Sequence, residues 1–94
     1  MLLVYTKIMD NLIVWDEPKR QANIEKHGMD FADLTLEFFL TAKIDRARDD
    51  RNIAIGKLAD GTIAVIFTEL GSEALSVISM RPASKKERKR YEGI

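Results

Sequence analysis

The segment from Thr62 to Glu69 constrains the fold most, because its five consecutive residues from Ile63 to Phe67 are all apolar. Its alternate positions form two sets, which are Ile63, Val65 and Phe67 on one face and Ala64, Ile66 and Thr68 on the other. A strand of this kind belongs at the centre of a sheet that is covered on both sides. We therefore expect this segment to be the central strand, on which folding depends most.

Two further β-prone runs, Asn52 to Leu58 and Ala74 to Arg81, flank the central segment in the sequence. The turn-forming pairs Asp60-Gly61 and Gly71-Ser72 separate them from it. Short runs joined by such turns predict an antiparallel meander. A shorter β-prone run, Asn11 to Trp15, precedes the meander and is interpreted as a further strand.

A first helix is predicted from about Glu17 to Lys26. Asp16 can cap its N-terminus, Pro18 suits its first turn, and Gly28 suits the left-handed residue just past its end. His27, the single histidine of the chain, would lie at the negative end of the helix dipole, which favours a protonated imidazole. A basic residue before a terminal glycine is also an ordinary helix stop signal, so His27 has a structural explanation as well.

Two more helices complete the predicted set. Asp30 can cap a second helix, whose apolar side chains share one face and form the core, namely Phe31, Leu34, Phe38 and Phe39. The polar segment Asp45 to Arg51 is interpreted as a loop. Ser84 and Glu87 have the spacing of a capping box, which would open a final helix that runs to about Glu92.

These elements predict an α+β domain in the order β-α-α-β-β-β-α, with a small antiparallel sheet, two N-terminal helices and a C-terminal helix. A chain of 94 residues with 46% hydrophobic content forms one small domain with little stability to spare. We assign residues 11–94 to this domain and residues 1–10 to an N-terminal extension.

Composition excludes several classes of protein. Without cysteine there is no disulfide framework or thiolate metal site, and a single histidine argues against a protein-only zinc site, so no metal or cofactor is expected. The longest apolar runs are far shorter than a membrane span, and residues 1–10 lack the features of a signal peptide. We expect a cytoplasmic protein that does not bind membranes.

Charge is neutral overall but concentrated locally. A net charge of zero argues against a protein that coats nucleic acid. The segment from Arg81 to Arg90 nevertheless carries a local charge of +5, with Glu87 as its single acid against Arg81, Lys85, Lys86, Arg88, Lys89 and Arg90. Such a patch could hold a phosphate backbone or an acidic partner, and a solvated helix face is an equally simple explanation.

Two blocks of residues resemble a known family. The first block follows the pattern W-D-x-x-K-x-x-x-N-x-x-K-H-G-x-x-F, here Trp15, Asp16, Lys19, Asn23, Lys26, His27, Gly28 and Phe31. The second resembles I-S-A-R-x-A-x-x-x-E-R-x-x-Y, here Ile78, Ser79, Met80, Arg81, Ala83, Glu87, Arg88 and Tyr91. Between them, Ile55-Gly56 and Phe67-Thr68-Glu69 lie where the family carries I-G and Y-T-E. Together, from Val14 to Tyr91, they are similar to the BrnT toxin family.

The resemblance implies a RelE-like endoribonuclease toxin from a type II toxin–antitoxin pair. The family's antitoxin, BrnA, usually contains a ribbon-helix-helix DNA-binding portion. Operator DNA would then be bound only through the toxin–antitoxin complex, within which a toxin homodimer is one possible arrangement. The substrate implied is RNA, cleaved without a metal ion.

Metal-independent RNA cleavage requires activation of a ribose 2′-hydroxyl, protonation of the leaving oxygen and stabilisation of charge on phosphorus. We expect Arg81 and Arg88 to clamp the phosphate, because a guanidinium can contact two oxygens at once. The lysines of the final helix are expected to bind the RNA backbone, namely Lys85, Lys86 and Lys89.

The acid–base roles have more than one candidate. His27 or Glu69 would be the general base, and Lys26 or Tyr91 would be the proton donor or an electrostatic helper. Glu69 would act from the end of its strand, whereas His27 and Lys26 would act from the end of the first helix.

Several of these residues also have purely structural explanations. Arg81 could pair with an acid at the end of its strand, Arg88 could form an i,i+4 salt bridge with Glu92, and the Tyr91 ring could pack on the sheet. Trp15, Asp16 and Asn23 are expected to be architectural, as a core aromatic, a cap and a side chain bonded to backbone.

The sequence also departs from the family pattern. Members often carry arginines where this chain has Leu70 and Ser76. The loss of two strand-borne cations favours an alternative, in which a catalytically degenerate toxin acts with its antitoxin as a protein-binding co-repressor. A stand-alone nucleic-acid-binding module is disfavoured by the zero net charge.

Overall fold

The central strand of the sheet is β4 (Gly61–Leu70), as the apolar pattern predicts. The structure is a computed structural model that describes residues 13–59 and 61–93. The remaining strands within those ranges are β1 (Ile13–Trp15), β2 (Lys43–Arg46), β3 (Asn52–Leu58) and β5 (Ala74–Pro82). They form one sheet in the order β1-β5-β4-β3-β2. The predicted extension, residues 1–10, and Asp60 of the predicted turn lie outside the described residues.

The helices of the described residues are α1 (Glu17–His27), α2 (Leu36–Thr41) and α3 (Lys85–Glu92). Helix α1 ends as predicted, since Gly28 has a left-handed φ of 68° and donates its N–H to the Ile24 carbonyl at 2.8 Å. Asp16 occupies the N-cap position without a side-chain cap hydrogen bond. The predicted capping box of Ser84 and Glu87 is present at the start of α3.

The prediction of a small antiparallel sheet is wrong, because the sheet has five strands and is mixed. Strand β1 pairs in parallel with β5, with Ile13 opposite Leu75 and Trp15 opposite Val77. These two strands are joined by residues 16–73 rather than by a hairpin, so no turn fixes their relative direction. The pairs β2–β3, β3–β4 and β4–β5 are antiparallel.

The extra strand, β2, overlaps the segment that was interpreted as a loop from Asp45 to Arg51. It pairs with β3, and the connection is closed by hydrogen bonds from the Ala47 N–H to the Arg51 carbonyl and from the Arg51 N–H to the Arg48 carbonyl. Strand β2 lies at the edge of the sheet and pairs with one neighbouring strand only. An edge strand of this kind tolerates polar side chains.

The predicted second helix is interrupted. Asp30 caps a single 3₁₀ turn (Phe31–Asp33) by accepting the Ala32 N–H, and Thr35 then caps α2 by accepting the Phe38 N–H at 3.1 Å. Because its side chain caps α2, Thr35 begins a separate helix inside the segment that was predicted to be a single helix. The four apolar residues of the segment are all buried, as predicted: Phe31, Leu34, Phe38 and Phe39.

The sheet is covered unequally on its two faces. On one face, Ile63, Val65 and Phe67 of β4 pack with the 3₁₀ turn and α2 in the main core. On the other face, Ala64 belongs to a small cluster that the Tyr91 ring of α3 covers in part. That second face therefore stays open where α3 does not reach. None of the helices in the described ranges is long and apolar enough to cross a membrane.

Candidate active site

Helix α1 lies along the part of β5 that β1 leaves unpaired. Strand β1 ends at Trp15, opposite Val77, and α1 begins two residues later. Beyond that point the backbone of β5 bonds to the buried side chain of Asn23 instead of to a neighbouring strand. The Oδ1 of Asn23 accepts the Met80 N–H at 3.0 Å. Its Nδ2 donates to the Met29 carbonyl at 3.0 Å, which confirms the predicted side-chain bond to backbone.

An open cleft lies between α1 and β5, next to the contacts of Asn23. It is lined from α1 by Lys19, Ala22, Asn23, Lys26 and His27, and from β5 by Ile78, Ser79 and Arg81. Three of these side chains are cationic, one is the histidine, and none carries a carboxylate. The cleft therefore suits an anion, and it is the place where the structure brings three predicted residues together: Lys26, His27 and Arg81.

Local geometry explains why these side chains line the same cleft. Lys19 and Lys26 are seven positions apart, two helical turns, so they project from the same face of α1. On β5, Ile66 lies opposite Ser79 but Phe67 lies opposite Val77, which leaves Ile78 as the extra residue of a β-bulge. A bulge redirects the side chains that follow it. In this case it turns Ser79 and Arg81 towards the open face.

Arg81 forms a two-pronged ion pair with Glu87 of α3. Its Nη1 lies 2.8 Å from Oε1 and its Nη2 lies 2.9 Å from Oε2. The side chains are 35% and 20% exposed, respectively. Hydrogen bonds from Arg81, and from the Ser84 backbone, lower the pKa of Glu87 to about 2, and Glu87 raises the pKa of Arg81. The structural explanation for Arg81, an ion pair with an acid at the end of its strand, is therefore confirmed.

The structure places Glu69 away from the cleft. It lies opposite Leu75 and on the same face as Phe67, the face that carries the main core. Arg81 lies opposite Ala64 on the other face, and Ala64 and Glu69 are five positions apart on β4, or about 17 Å along the strand. Glu69 is exposed at the edge of a separate groove, beside Phe39.

The candidate residues of α3 differ in exposure. Tyr91 is half-buried and packs with the Ile55 and Ala64 cluster. Arg88 is exposed, and among the described residues no ion pair joins it to Glu92. The three lysines predicted to bind RNA are also exposed: Lys85, Lys86 and Lys89.

Two polar residues of the cleft had no predicted role, Lys19 and Ser79. The signal for Lys19 was its two-turn spacing from Lys26, which places both amines on one face of a helix. The position of Ser79 depends on the bulge at Ile78, for which the sequence gives no signal. Within the described ranges, His, Cys, Asp and Glu side chains form no group able to hold a metal ion.

A salt-bridge network fixes the connection that follows α1. Arg20 donates from Nε and Nη2 to the Asp30 carboxylate, at 2.7 and 2.9 Å, and from Nη1 to Glu17 at 2.7 Å. The bonds from Arg20, with one from the Ala32 N–H, lower the pKa of Asp30 to about 2. The network holds the N-terminal part of α1 against Asp30, at the start of the 3₁₀ turn.

Comparisons with known proteins agree with the sequence motifs. Residues 15–87 match the model of a family described as "Ribonuclease toxin, BrnT, of type II toxin-antitoxin system". A 1.1 Å crystal structure of the Brucella abortus ribonuclease toxin BrnT is 64% identical in sequence, with a TM-score of 0.74, and the alignment covers 78% of this chain and 96% of that one. No curated protein matches the chain. The chain belongs to the BrnT family of ribonuclease toxins of type II toxin–antitoxin systems, as its motifs predicted.

Proposed function

We propose that this chain is a metal-independent endoribonuclease whose active site is the cleft between α1 and β5. One observation carries the proposal: three cations and the single histidine line this cleft with no carboxylate among the lining side chains. A phosphodiester is an anion that gains further charge during cleavage, so a cationic cleft lowers the barrier to reaction.

The proposed chemistry is an in-line attack by the ribose 2′-hydroxyl. His27 takes the 2′-hydroxyl proton, the 2′-oxygen bonds to phosphorus, and the bond from phosphorus to the 5′-oxygen breaks. Lys26 gives a proton to that leaving oxygen. The products are a 2′,3′-cyclic phosphate and a 5′-hydroxyl, and no metal or cofactor is consumed.

The geometry supports this choice among the candidates for acid and base. His27 and Lys26 line the cleft together with Arg81. Glu69 lies on the opposite face of the sheet, and the Tyr91 ring packs against Ile55 and Ala64. We therefore assign phosphate binding to Arg81 and Lys19. The exposed side chains of α3 would contact the RNA outside the cleft: Lys85, Lys86, Arg88 and Lys89.

Membership of a type II toxin–antitoxin family implies an antitoxin partner. We further propose that this partner is a BrnA-like ribbon-helix-helix protein, that it covers the cleft in the cytoplasm, and that operator DNA is bound only through the complex. Co-expression with the product of the adjacent small gene should give a stable complex with a higher thermal midpoint than the free toxin. Independent migration of the two proteins at micromolar concentration would refute the pairing.

The test of activity uses the free protein and a single-stranded RNA. Cleavage should persist in excess chelator and yield cyclic phosphate ends. The double variant Lys19→Ala, Lys26→Ala should cleave at least about 10²-fold more slowly, whereas Lys57→Ala, which removes an exposed lysine outside the cleft, should match the parent. A requirement for added metal, or full activity of the double variant, would refute the proposal.

A second candidate function is that of an inactive co-repressor. It is favoured by Leu70 and Ser76, which stand where the sequence motifs of the family often place arginine. Leu70 is 49% exposed, so this position offers an apolar surface instead of a cation. An inactive free protein whose antitoxin complex still binds operator DNA would support this function over the first.

A further inference from the structure

The contact between Arg81 and Glu87 leaves one edge of the guanidinium available. Nη1 and Nη2 donate to the two oxygens of Glu87, and Nη1 also lies 3.3 Å from the Pro82 carbonyl. In the described part of the chain, Nε of Arg81 has no hydrogen-bond partner. The Nε–H and the second N–H of Nη2 form the other two-pronged edge of a guanidinium, and that edge matches two phosphate oxygens.

Glu87 is itself held firmly. Its Oε1 accepts the Ser84 N–H at 2.8 Å, and its own N–H donates to Ser84 Oγ at 3.1 Å. These two bonds are the capping box that begins α3. The capping box would be complete without Arg81, so the bond to Arg81 is an additional constraint that capping does not require.

We infer that Glu87 is a positioning residue, which fixes the Arg81 guanidinium so that its Nε edge faces the scissile phosphate in the cleft. The inference rests on the proposed function. Arg81 lines the cleft, while Glu87 is absent from the cleft lining and contacts the guanidinium from α3. A two-pronged contact prevents rotation of the planar group, which a single hydrogen bond does not.

A fixed guanidinium matters most in the transition state. Charge increases on the phosphate oxygens during attack, and donors that are already oriented need no reorganisation at that moment. Glu87 also neutralises part of the Arg81 charge, so it weakens attraction to any phosphate before reaction. Removal of Glu87 should therefore lower kcat per folded molecule without raising KM, and division of the rate by the folded fraction separates this effect from partial unfolding.

The test is Glu87→Gln, measured for kcat and KM on single-stranded RNA. The glutamine keeps an oxygen for the Ser84 N–H but loses one acceptor of the fork, so kcat should fall by about 10- to 10²-fold, with KM unchanged or lower. Glu92→Gln is the matched control, because it makes the same charge change on the same helix at an exposed position. It should leave kcat unchanged. Ser84→Ala removes the helix cap and leaves the Arg81 contact, so it should lower stability more than kcat.

A double-mutant cycle separates positioning from stability. Added to Arg81→Ala, the Glu87→Gln change should have no further effect on kcat, because the group that it positions is absent. An equal loss of kcat in both backgrounds would overturn the inference, as would parent kcat in Glu87→Gln.

A readout without catalysis distinguishes this inference from the proposed function. Hydrogen exchange of the Arg81 Nε–H and affinity for an uncleavable 2′-O-methyl RNA can be measured in any variant. If the parent binds this RNA but does not cleave the unmodified RNA of the same sequence, the proposed function fails. Faster Nε–H exchange in Glu87→Gln, but not in Glu92→Gln, would then still support positioning, and equal exchange in both would overturn it.

Discussion

The Met80 backbone N–H donates to Oδ1 of Asn23 at 3.0 Å, across 57 positions of sequence. This bond joins the helix that carries Lys26 and His27 to the strand that carries Arg81. Asn23 also holds the chain after the helix, through the Met29 carbonyl. One buried amide therefore connects the two elements that line the cleft.

Replacement of Asn23 should destabilise the domain. Asn23→Ala leaves two backbone groups without their partner, the Met80 N–H and the Met29 carbonyl, at a cost of about 1–3 kcal/mol each where water cannot reach them. Urea unfolding monitored by circular dichroism measures the loss. Glu25→Ala, exposed on the same helix, is the control and should change stability by less than about 0.5 kcal/mol. Equal stability of the two variants would contradict this role for Asn23.

Packing between α2 and β3 gives a second prediction, at Gly56. A Cβ at this position would lie 3.0 Å from Cε1 of Phe38 and 3.1 Å from the Ala42 Cβ. Since both neighbours belong to packed structure, Gly56→Ala should cost about 1–3 kcal/mol. Gly61→Ala is the control, because a Cβ there meets nothing within 4 Å and the φ of Gly61 is not in the left-handed region. A thermal midpoint of Gly56→Ala equal to that of Gly61→Ala would show that α2 shifts freely.

Acid should remove a defined part of the stability. The pKa of Glu87 is lowered from 4.5 to about 2 by Arg81, and that of Asp30 from 3.8 to about 2 by Arg20. A carboxyl whose pKa is lower in the folded state stabilises the fold above its unfolded pKa, and this contribution is lost as pH falls through the folded value. The free energy of unfolding should therefore decline from about pH 4.5 to about pH 2.

A comparison of the parent with Glu87→Gln isolates the contribution of the Glu87 carboxyl to this loss of stability in acid. The parent should exceed the variant in stability above about pH 4.5, and the difference should narrow as pH falls towards about 2. Denaturant titrations at several pH values measure the difference. A gap between parent and variant that does not change with pH would mean that the charge of Glu87 contributes nothing to folding.

The sequence predicted those parts of the fold that local chemistry determines. Gly28 ends α1, Ser84 and Glu87 open α3, and the doubly apolar β4 is central. The parallel pairing of β1 with β5 depends instead on contacts between segments that are far apart in sequence, and no local residue pattern specifies it. Strand β2 was missed because an edge strand needs only one apolar face and can be largely polar.

The candidate site was predictable only in part, for the same reason. Lys26 and His27 are adjacent in sequence, so their proximity follows from the helix alone. The face on which Arg81 lies depends on the bulge at Ile78, because strict alternation would place Arg81 on the same face as the buried Val77. A sequence pattern with period two cannot reveal that one extra residue.

The last prediction concerns His27, which is either a general base or a helix stop signal. A general base acts in its unprotonated form, so cleavage that depends on His27 should be slower in acid and accelerate as pH rises. His27→Gln should then slow cleavage by about 10²- to 10⁴-fold with the fold intact. Glu25→Gln, on the same helix and outside the cleft, should keep the parent rate.

If His27 is only a stop signal, its replacement should lower the free energy of unfolding by at most about 1 kcal/mol and leave the activity unchanged. A His27→Gln protein that cleaves at the parent rate with the parent pH profile would transfer the base role away from His27, and the rate of Glu69→Gln would then show whether a carboxylate on the opposite face of the sheet can act in its place.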